Sequence, residues 1–546
     1  MKFSTGLMSL VLGACATATQ AQDQYAGAGF YIKNVTPSIG APAYQSFVNV
    51  VGQKPNVTAV FLDYRDPIAN PVTDKNWSRN AQWSAGNLAR LCSAEYLNRL
   101  DASGRPAIIP IVSVGLTDDP TVFQLTLPVG NPERGKYNET AAVAMMNDVA
   151  SGRYDLDDAA RGSYRVWPAI FDAYRNSGFA KIYLRIGWEQ NGNWYGWRVR
   201  SEATRAAYIA AWQHVADLAH SYAAANAMVI ETVWSPSASY ANYGVGEESS
   251  YPGDAYVDIV GPDAYSPIWN VTRAINGSGY FDWALGSSVT MAEWLANPVN
   301  RRHIWDYPAS DYWNQTRGWG LPAAIAFARA HNKRFALSET GTGNQGVTTS
   351  GGGPIDEGDF PLYLAERLSG AIAQGLRVEF VDVWAEATGP DKLTFLGGAR
   401  PLEAAAWRDF MSSMAAIHKN IALGKRVIAS SAANSSTVAA KAVDGLAATS
   451  WVTNSNLTQW LQIDLGQHYT VTRVKLNWDA AYAARYQIQT SLDAKSWATI
   501  YNTTGANGAI DDLVGLNGSG RYIRIVPSQF APQATGYSLR EFEVYP

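Results

Sequence analysis

Cysteine is nearly absent from this chain, with two among 546 residues, Cys15 and Cys92. Cys15 falls in an N-terminal stretch that reads as a leader, so one thiol is left after its removal. No intrachain disulfide can then form, and core burial has to hold the fold. Histidine is scarce as well, and six scattered imidazoles with one thiol give no zinc-ligand spacing. Charge is low and balanced, 43 Lys+Arg against 47 Asp+Glu, and no dense basic run gives a reason to bind nucleic acid. Past the N-terminus no apolar run is long enough to span a bilayer, so no transmembrane segment is expected. The 25 Pro and 47 Gly follow no period, which excludes collagen-like and coiled-coil chains.

At the front, Lys2 precedes the apolar stretch from Gly6 to Cys15 and then small residues up to Ala21. This pattern reads as a secretory signal over residues 1–22, with cleavage after Ala18 or Ala21. Leu12-Gly13-Ala14-Cys15 resembles a bacterial lipoprotein box. The expectation is a secreted or periplasmic protein, with a lipid anchor at Cys15 as the alternative.

Aromatic residues are plentiful: Trp 20, Tyr 29 and Phe 16. Most belong to packing, yet flat rings also suit ring-shaped ligands. From residue 23 to 416, eight short apolar runs alternate with amphipathic stretches. The runs are 28–32, 57–62, 107–114, 182–186, 228–233, 257–260, 334–337 and 378–383. Near-continuous apolar runs are the mark of parallel strands buried on both sides, and eight of them predict a (β/α)8 TIM barrel. A doubly wound open sheet is the alternative. Over 420–546 short alternating strands take over, such as Trp460 to Leu465 and Thr472 to Trp478, which predict an antiparallel β-sandwich. No Pro-rich or Gly/Ser-rich linker separates the two parts.

In a TIM barrel the chemistry sits past the C-terminal ends of the strands. Two runs end there in glutamate: the fourth, continuing through Gly187-Trp188 to Glu189, and the seventh, reaching Ser338-Glu339. Such a pair can flank a glycosidic bond, one carboxyl donating a proton and the other attacking the anomeric carbon. A lone glutamate of this kind is usually a solvated loop residue. Trp188, next in sequence to Glu189, is placed to desolvate it and raise its pKa.

The stretch Arg185 to Trp197 resembles the acid/base motif of glycoside hydrolase family 26, whose best-known members are β-mannanases. Tyr251 to Tyr265, reading YPGDAYVDIVGPDAY, is closely similar to that family's sixth-strand signature. The resemblance implies that Glu189 is the general acid/base and Glu339 the nucleophile of a retaining mechanism, with no cofactor in catalysis. It also implies that Tyr265 hydrogen-bonds the nucleophile and that Trp384 lies beneath the sugar being cleaved. Trp188, Asn191, Trp194 and Trp197 complete the expected substrate-binding set. Trp188 stands where the family usually has His, and an indole has no acceptor, so mannan specificity does not simply carry over. The insert with Trp283, Trp294, Trp305 and Trp313 is expected to wall the cleft.

The C-terminal part resembles the discoidin, or factor 5/8 type C, fold and its carbohydrate-binding relatives of module family 32. The segments that carry the likeness include Lys441 to Gly445, Thr449-Ser450-Trp451, Gln459 to Gly466 and Leu539 to Val544. By that resemblance Asp444, Thr449 and Glu541 are ligands of a structural Ca2+. The resulting expectation is a monomeric, secreted retaining hydrolase of β-linked polysaccharide, with endo-acting cleavage of β-mannan implied by the resemblance alone. The alternatives are the same mechanism on β-xylan, mixed β-glucan or a bacterial exopolysaccharide, and a polysaccharide-binding protein without catalysis.

Overall fold

The protein is seen in a computed structural model. It describes residues 27–31, 36–62, 75–117, 119–125, 127–156, 165–238, 247–266, 319–342, 358–384, 400–417 and 419–546 except 447, 457 and 504. Short pieces between 280 and 317 and around 395–398 are also described. The N-terminal stretch with Cys15, the tryptophans 283, 294 and 313, and most of the loop after the seventh strand lie outside the described residues.

The apolar runs form a closed parallel barrel. Its strands are Gly27–Phe30, Val57–Leu62, Ile109–Val114, Lys181–Ile186, Val229–Trp234, Ile259–Val260 with Asp263–Tyr265, Arg334–Gly341 and Val378–Val383. The eighth strand pairs with both the seventh and the first, which closes the ring and excludes the open sheet. The sixth strand is split at Gly261-Pro262, because proline offers no N–H to the ladder. Helices such as Glu202–Asn226 cover the outside, where Tyr208, Ala211, Trp212 and Val215 turn one face inward. Ser201 starts that helix as its N-cap, accepting from the Thr204 N–H.

The interior is layered. At the strand starts, Lys181 and Arg334 alternate with Glu231 and Glu379, at 2.8–3.0 Å. The Tyr183 hydroxyl donates to Glu379 at 2.6 Å. Burial acts to raise the Glu379 pKa, but Lys181 and Arg334 hold it below its ordinary value. This ring closes the barrel floor. Above it lie apolar side chains, Val57, Ile111, Tyr183, Val233, Ile259, Ala336 and Phe380. Polar groups return at the strand ends: Ser113, Arg185, Ser235 and Asp382, all buried.

The seventh strand carries one residue more than its neighbours between Leu337 and Thr340. Its register with the sixth and eighth strands shifts there. Such a bulge breaks the two-residue alternation and re-aims a side chain. Here it turns both Ser338 and Glu339 away from the helices, so that Glu339 faces the barrel mouth.

After the last barrel helix, Pro401–Ile417, the chain forms a sandwich of two antiparallel sheets. One sheet has five strands and the other four. Alternation fixes the inner faces: Leu461, Ile463 and Leu465 are buried while Gln462 and Asp464 between them are not. Trp451 belongs to this core, fully buried with its indole N–H donated to the Ser431 carbonyl at 2.8 Å. Trp305, expected to wall the cleft, is also a core residue. It packs on Phe360 and Tyr363 and donates to the Ser266 carbonyl at 3.0 Å.

Candidate active site

Glu189 enters the mouth on a tight turn after the fourth strand. Its φ is 49°, a left-handed conformation that costs on the order of 1–3 kcal/mol for a residue with a side chain. Gly187, two residues earlier, also has positive φ, 51°. A side chain there would meet Leu116 and Tyr208 at about 3 Å, so glycine is required. The strained turn is held by the Glu189 N–H, which donates to the Ser235 carbonyl at 2.7 Å. Asn191 supports the same joint, donating to the Ser237 carbonyl and accepting from the Ser237 N–H, each at 2.8 Å.

The two glutamates are treated in opposite ways. Burial, followed by the charge of nearby Glu339, raises the Glu189 pKa to about 7, against the opposing pull of Arg185 and the Trp194 indole. That indole donates to Glu189 Oε2 at 2.7 Å. Glu339 is instead clamped by donors on both oxygens: Arg185 reaches Oε1 at 2.5 Å and the Tyr265 hydroxyl reaches Oε2 at 2.7 Å. Arg185 is fully buried; the Nη1 that reaches Glu339 also donates to Ser113 at 3.3 Å, while Nη2 donates to Asp263 and Nε to Ser235 at 2.9 Å. One guanidinium therefore aligns the Glu339 carboxylate with Asp263 on the adjoining strand.

Beside this pair runs a continuous aromatic wall. Trp384 stacks on Tyr31, centroids 3.8 Å apart, and both meet Phe61 edge-on. Phe61 touches Trp188, which packs in turn on Tyr195 and Trp197. A partly exposed stacked pair at the mouth offers a flat surface for a sugar ring.

The profile of glycosyl hydrolase family 26 matches residues 119–297, and that of the F5/8 type C domain matches residues 426–542. The chain thus carries a stretch similar to glycosyl hydrolase family 26, followed by one similar to the F5/8 type C domain. A segment of 97 residues is 32% identical to Endoglucanase H of Acetivibrio thermocellus. That match covers 17% of this chain and spans one tenth of the relative's length. Among solved structures, chitosan-binding module 1 from the chitosanase/glucanase of Paenibacillus sp. IK-5 is 41% identical, covering 24% of this chain and 100% of that one, with TM-score 0.23. Module 2 of the same enzyme is 43% identical over 23% of this chain and 100% of its own, also with TM-score 0.23.

The structure brings Glu189, Glu339, Tyr265, Trp194 and Trp384 to one mouth. It places three other expected substrate contacts behind that surface. Trp197 is 2% exposed, stacked on Tyr195 with its indole N–H on the Trp188 carbonyl. Asn191 is fully buried with its amide on Ser237, as above. Trp188 is 1% exposed, and its indole N–H donates to the Tyr195 hydroxyl at 2.8 Å. Its ring lies 5.4 Å from the Arg185 guanidinium carbon and shields that cation. Sequence reasoning did not single out Tyr31, Phe61, Asp263 or Asp382. All four lie in or just past strands already recognised, so the rule that function gathers at strand ends was the available signal.

In the sandwich, the Thr449 hydroxyl meets both Asp444 carboxylate oxygens at 2.9 Å and the Leu446 carbonyl at 3.0 Å. Glu541 is 5% exposed with neither oxygen hydrogen-bonded. Burial, then the Asp444 charge, raises its pKa to about 7. A buried carboxyl with two orphaned oxygens, facing a second carboxylate, suits a hard cation with oxygen ligands. Among the described residues no group of three or more His, Cys, Asp or Glu is gathered for a metal, so carbonyl and hydroxyl oxygens would have to complete such a shell.

Proposed function

We propose that this chain is a retaining glycoside hydrolase of β-linked polysaccharide, with Glu189 as general acid/base and Glu339 as nucleophile. The observation that carries this reading is the opposite environment of the two glutamates. Glu189, with a pKa near 7, holds a proton at neutral pH for the leaving oxygen. Glu339, gripped by Arg185 and Tyr265, is aimed by the bulge to attack the anomeric carbon. A glycosyl-enzyme forms on Glu339, and Glu189, now ionised, takes a proton from the water that releases the sugar. The Trp384–Tyr31 stack would receive the face of the sugar being cleaved.

The preferred substrate is a β-mannan, cut internally, on the strength of the family 26 match. A β-glucan is the second reading, favoured by Trp188 in place of histidine and by the short likeness to an endoglucanase. The barrel over 23–416 would act as the catalytic domain of a secreted monomer, and the module over 420–546 would bind polysaccharide. Asp444, Thr449 and Glu541 would hold a Ca2+ that stabilises the module and takes no part in hydrolysis.

The test separates the two roles. Glu339→Ala should lose several orders of magnitude on every substrate. Glu189→Ala should still form the glycosyl-enzyme from an activated aryl glycoside but stall at its hydrolysis. Azide should then restore turnover and give a glycosyl azide of retained configuration, consistent with carboxyl groups roughly 5–5.5 Å apart. An inverted azide product would remove the retaining assignment, and full activity in either variant would remove the site.

A further inference from the structure

We infer that the C-terminal module is docked on the barrel face opposite the two glutamates, and so grips a different glycan chain from the one in the cleft. This inference rests on the glycosidase reading for its functional half, while the docking stands on geometry alone. Helices in a (β/α)8 barrel run antiparallel to their strands, so each ends at the face where strands begin. The last helix ends there at Ile417. Only three residues later, at Asn420, the chain is already part of the module. Asn420 Oδ1 accepts from the N–H groups of Ala422 and Val544, and the Ile421 N–H donates to the Val544 carbonyl. The joint has no slack with which to carry the module round to the mouth.

A second contact fixes the same face. The helix Asp359–Ala373 also ends there, and Gly375 just beyond it has φ of 95°. A Cβ placed on Gly375 would lie 3.2 Å from Val514 Cγ2 and 3.6 Å from Val514 Cβ in the module. One on Gly515 would lie 3.9 Å from the Gln374 carbonyl carbon. Between this face and the mouth stands the full barrel, six-residue strands that rise about 20 Å at roughly 3.3 Å per residue, with the ring of Lys181, Glu231, Arg334 and Glu379 sealing its floor. No run of sugars can pass through it. The module therefore acts as a tether from behind and does not lengthen the cleft.

The test locks the proposed contact in the full chain with Gly375→Cys and Val514→Cys. The 3.6 Å Cβ separation falls within the range a disulfide requires, and buried Cys92 does not compete. Oxidation should form the cross-link, and the locked enzyme should hydrolyse soluble mannohexaose within twofold of its reduced form. Failure to cross-link, or a severalfold loss on mannohexaose alone, would overturn the inference. Small-angle scattering gives a second reading that does not depend on these cysteines. Inserting about 20 Gly/Ser residues between His418 and Lys419, with a reach of roughly 25 Å, should enlarge the particle. If the unaltered chain already scatters like the extended one, the docking is wrong. Absence of any glycan hydrolysis by the reduced protein would instead sink the glycosidase reading, leaving the cross-link and scattering to decide the docking.

Discussion

The floor and the mouth of the barrel both bury charge, and they do so in contrary ways. At the floor, two cations meet two carboxylates in an alternating ring, and every charge has partners of opposite sign. At the mouth, Arg185 faces Asp263 and Glu339 directly, with Glu189 and Asp382 near enough to feel its charge. One guanidinium cannot balance four carboxyls. Three of them are driven towards the neutral form, each by burial first: Glu189, Asp263, and Asp382, whose pKa burial and then the Glu339 charge push well above the ordinary range. Balanced buried charge closes a structure, whereas a surplus of carboxyls stores protons where chemistry can use them.

Removing the key charge from each layer should break the comparison most sharply. Arg185→Met leaves Asp263 and Glu339 without their cation and should cut kcat about 1,000-fold, with a stability loss of about 3–5 kcal/mol. Glu379→Gln should destabilise the fold by about 3 kcal/mol, yet leave kcat within about twofold. Denaturant melts and rates on one soluble substrate check both. A large kcat loss in Glu379→Gln would erase the distinction between the layers.

A subtler test changes the proton rather than the charge. The proposed acid must be protonated, so kcat should fall tenfold per pH unit above about 7. The Trp194 indole donates to Glu189 and lowers its pKa, so Trp194→Phe should move that alkaline limb to higher pH. A limb that moves down or stays put would detach the limb from Glu189. The same raised pKa makes the folded state bind a proton the unfolded chain has lost, so this group's stabilisation fades as pH rises from the ordinary carboxyl range towards 7.

The module offers a smaller version of the mouth's surplus in Glu541 and Asp444. Without a cation, Glu541 with its pKa near 7 should make the module lose stability as pH climbs from the ordinary carboxyl range towards 7. Millimolar Ca2+ should flatten that dependence and raise the module's melting temperature by a few degrees, leaving kcat unchanged. Identical melting curves in chelator and in Ca2+ would dismiss the ion site.

Much of this was written in the sequence. The runs at 57–62 and 378–383 are strands with those same bounds, and the others differ by a few residues. Parallel strands buried on both faces need unbroken apolar stretches, and such stretches survive without knowledge of their partners. The same pattern located Glu189 and Glu339, since a strand's end shows where its barrel mouth must be. Alternation likewise announced the sandwich.

The rest depended on who meets whom across the fold. The bulge that turns Glu339 inward is a mismatch between neighbouring strands, and no single strand's sequence records it. Trp194 and Trp197 sit three residues apart in the same loop, yet one donates to the Glu189 carboxyl and the other is packed behind Trp188. Burial of that kind is set by contacts distant in sequence, here Phe61 with Trp188 and Tyr31 with Trp384. Sequence alone determined the layers, their order and the chemical groups at the strand ends. Tertiary structure alone decided which carboxyl is clamped and which keeps its proton, because a pKa answers to desolvation and to charges that only folding brings within reach.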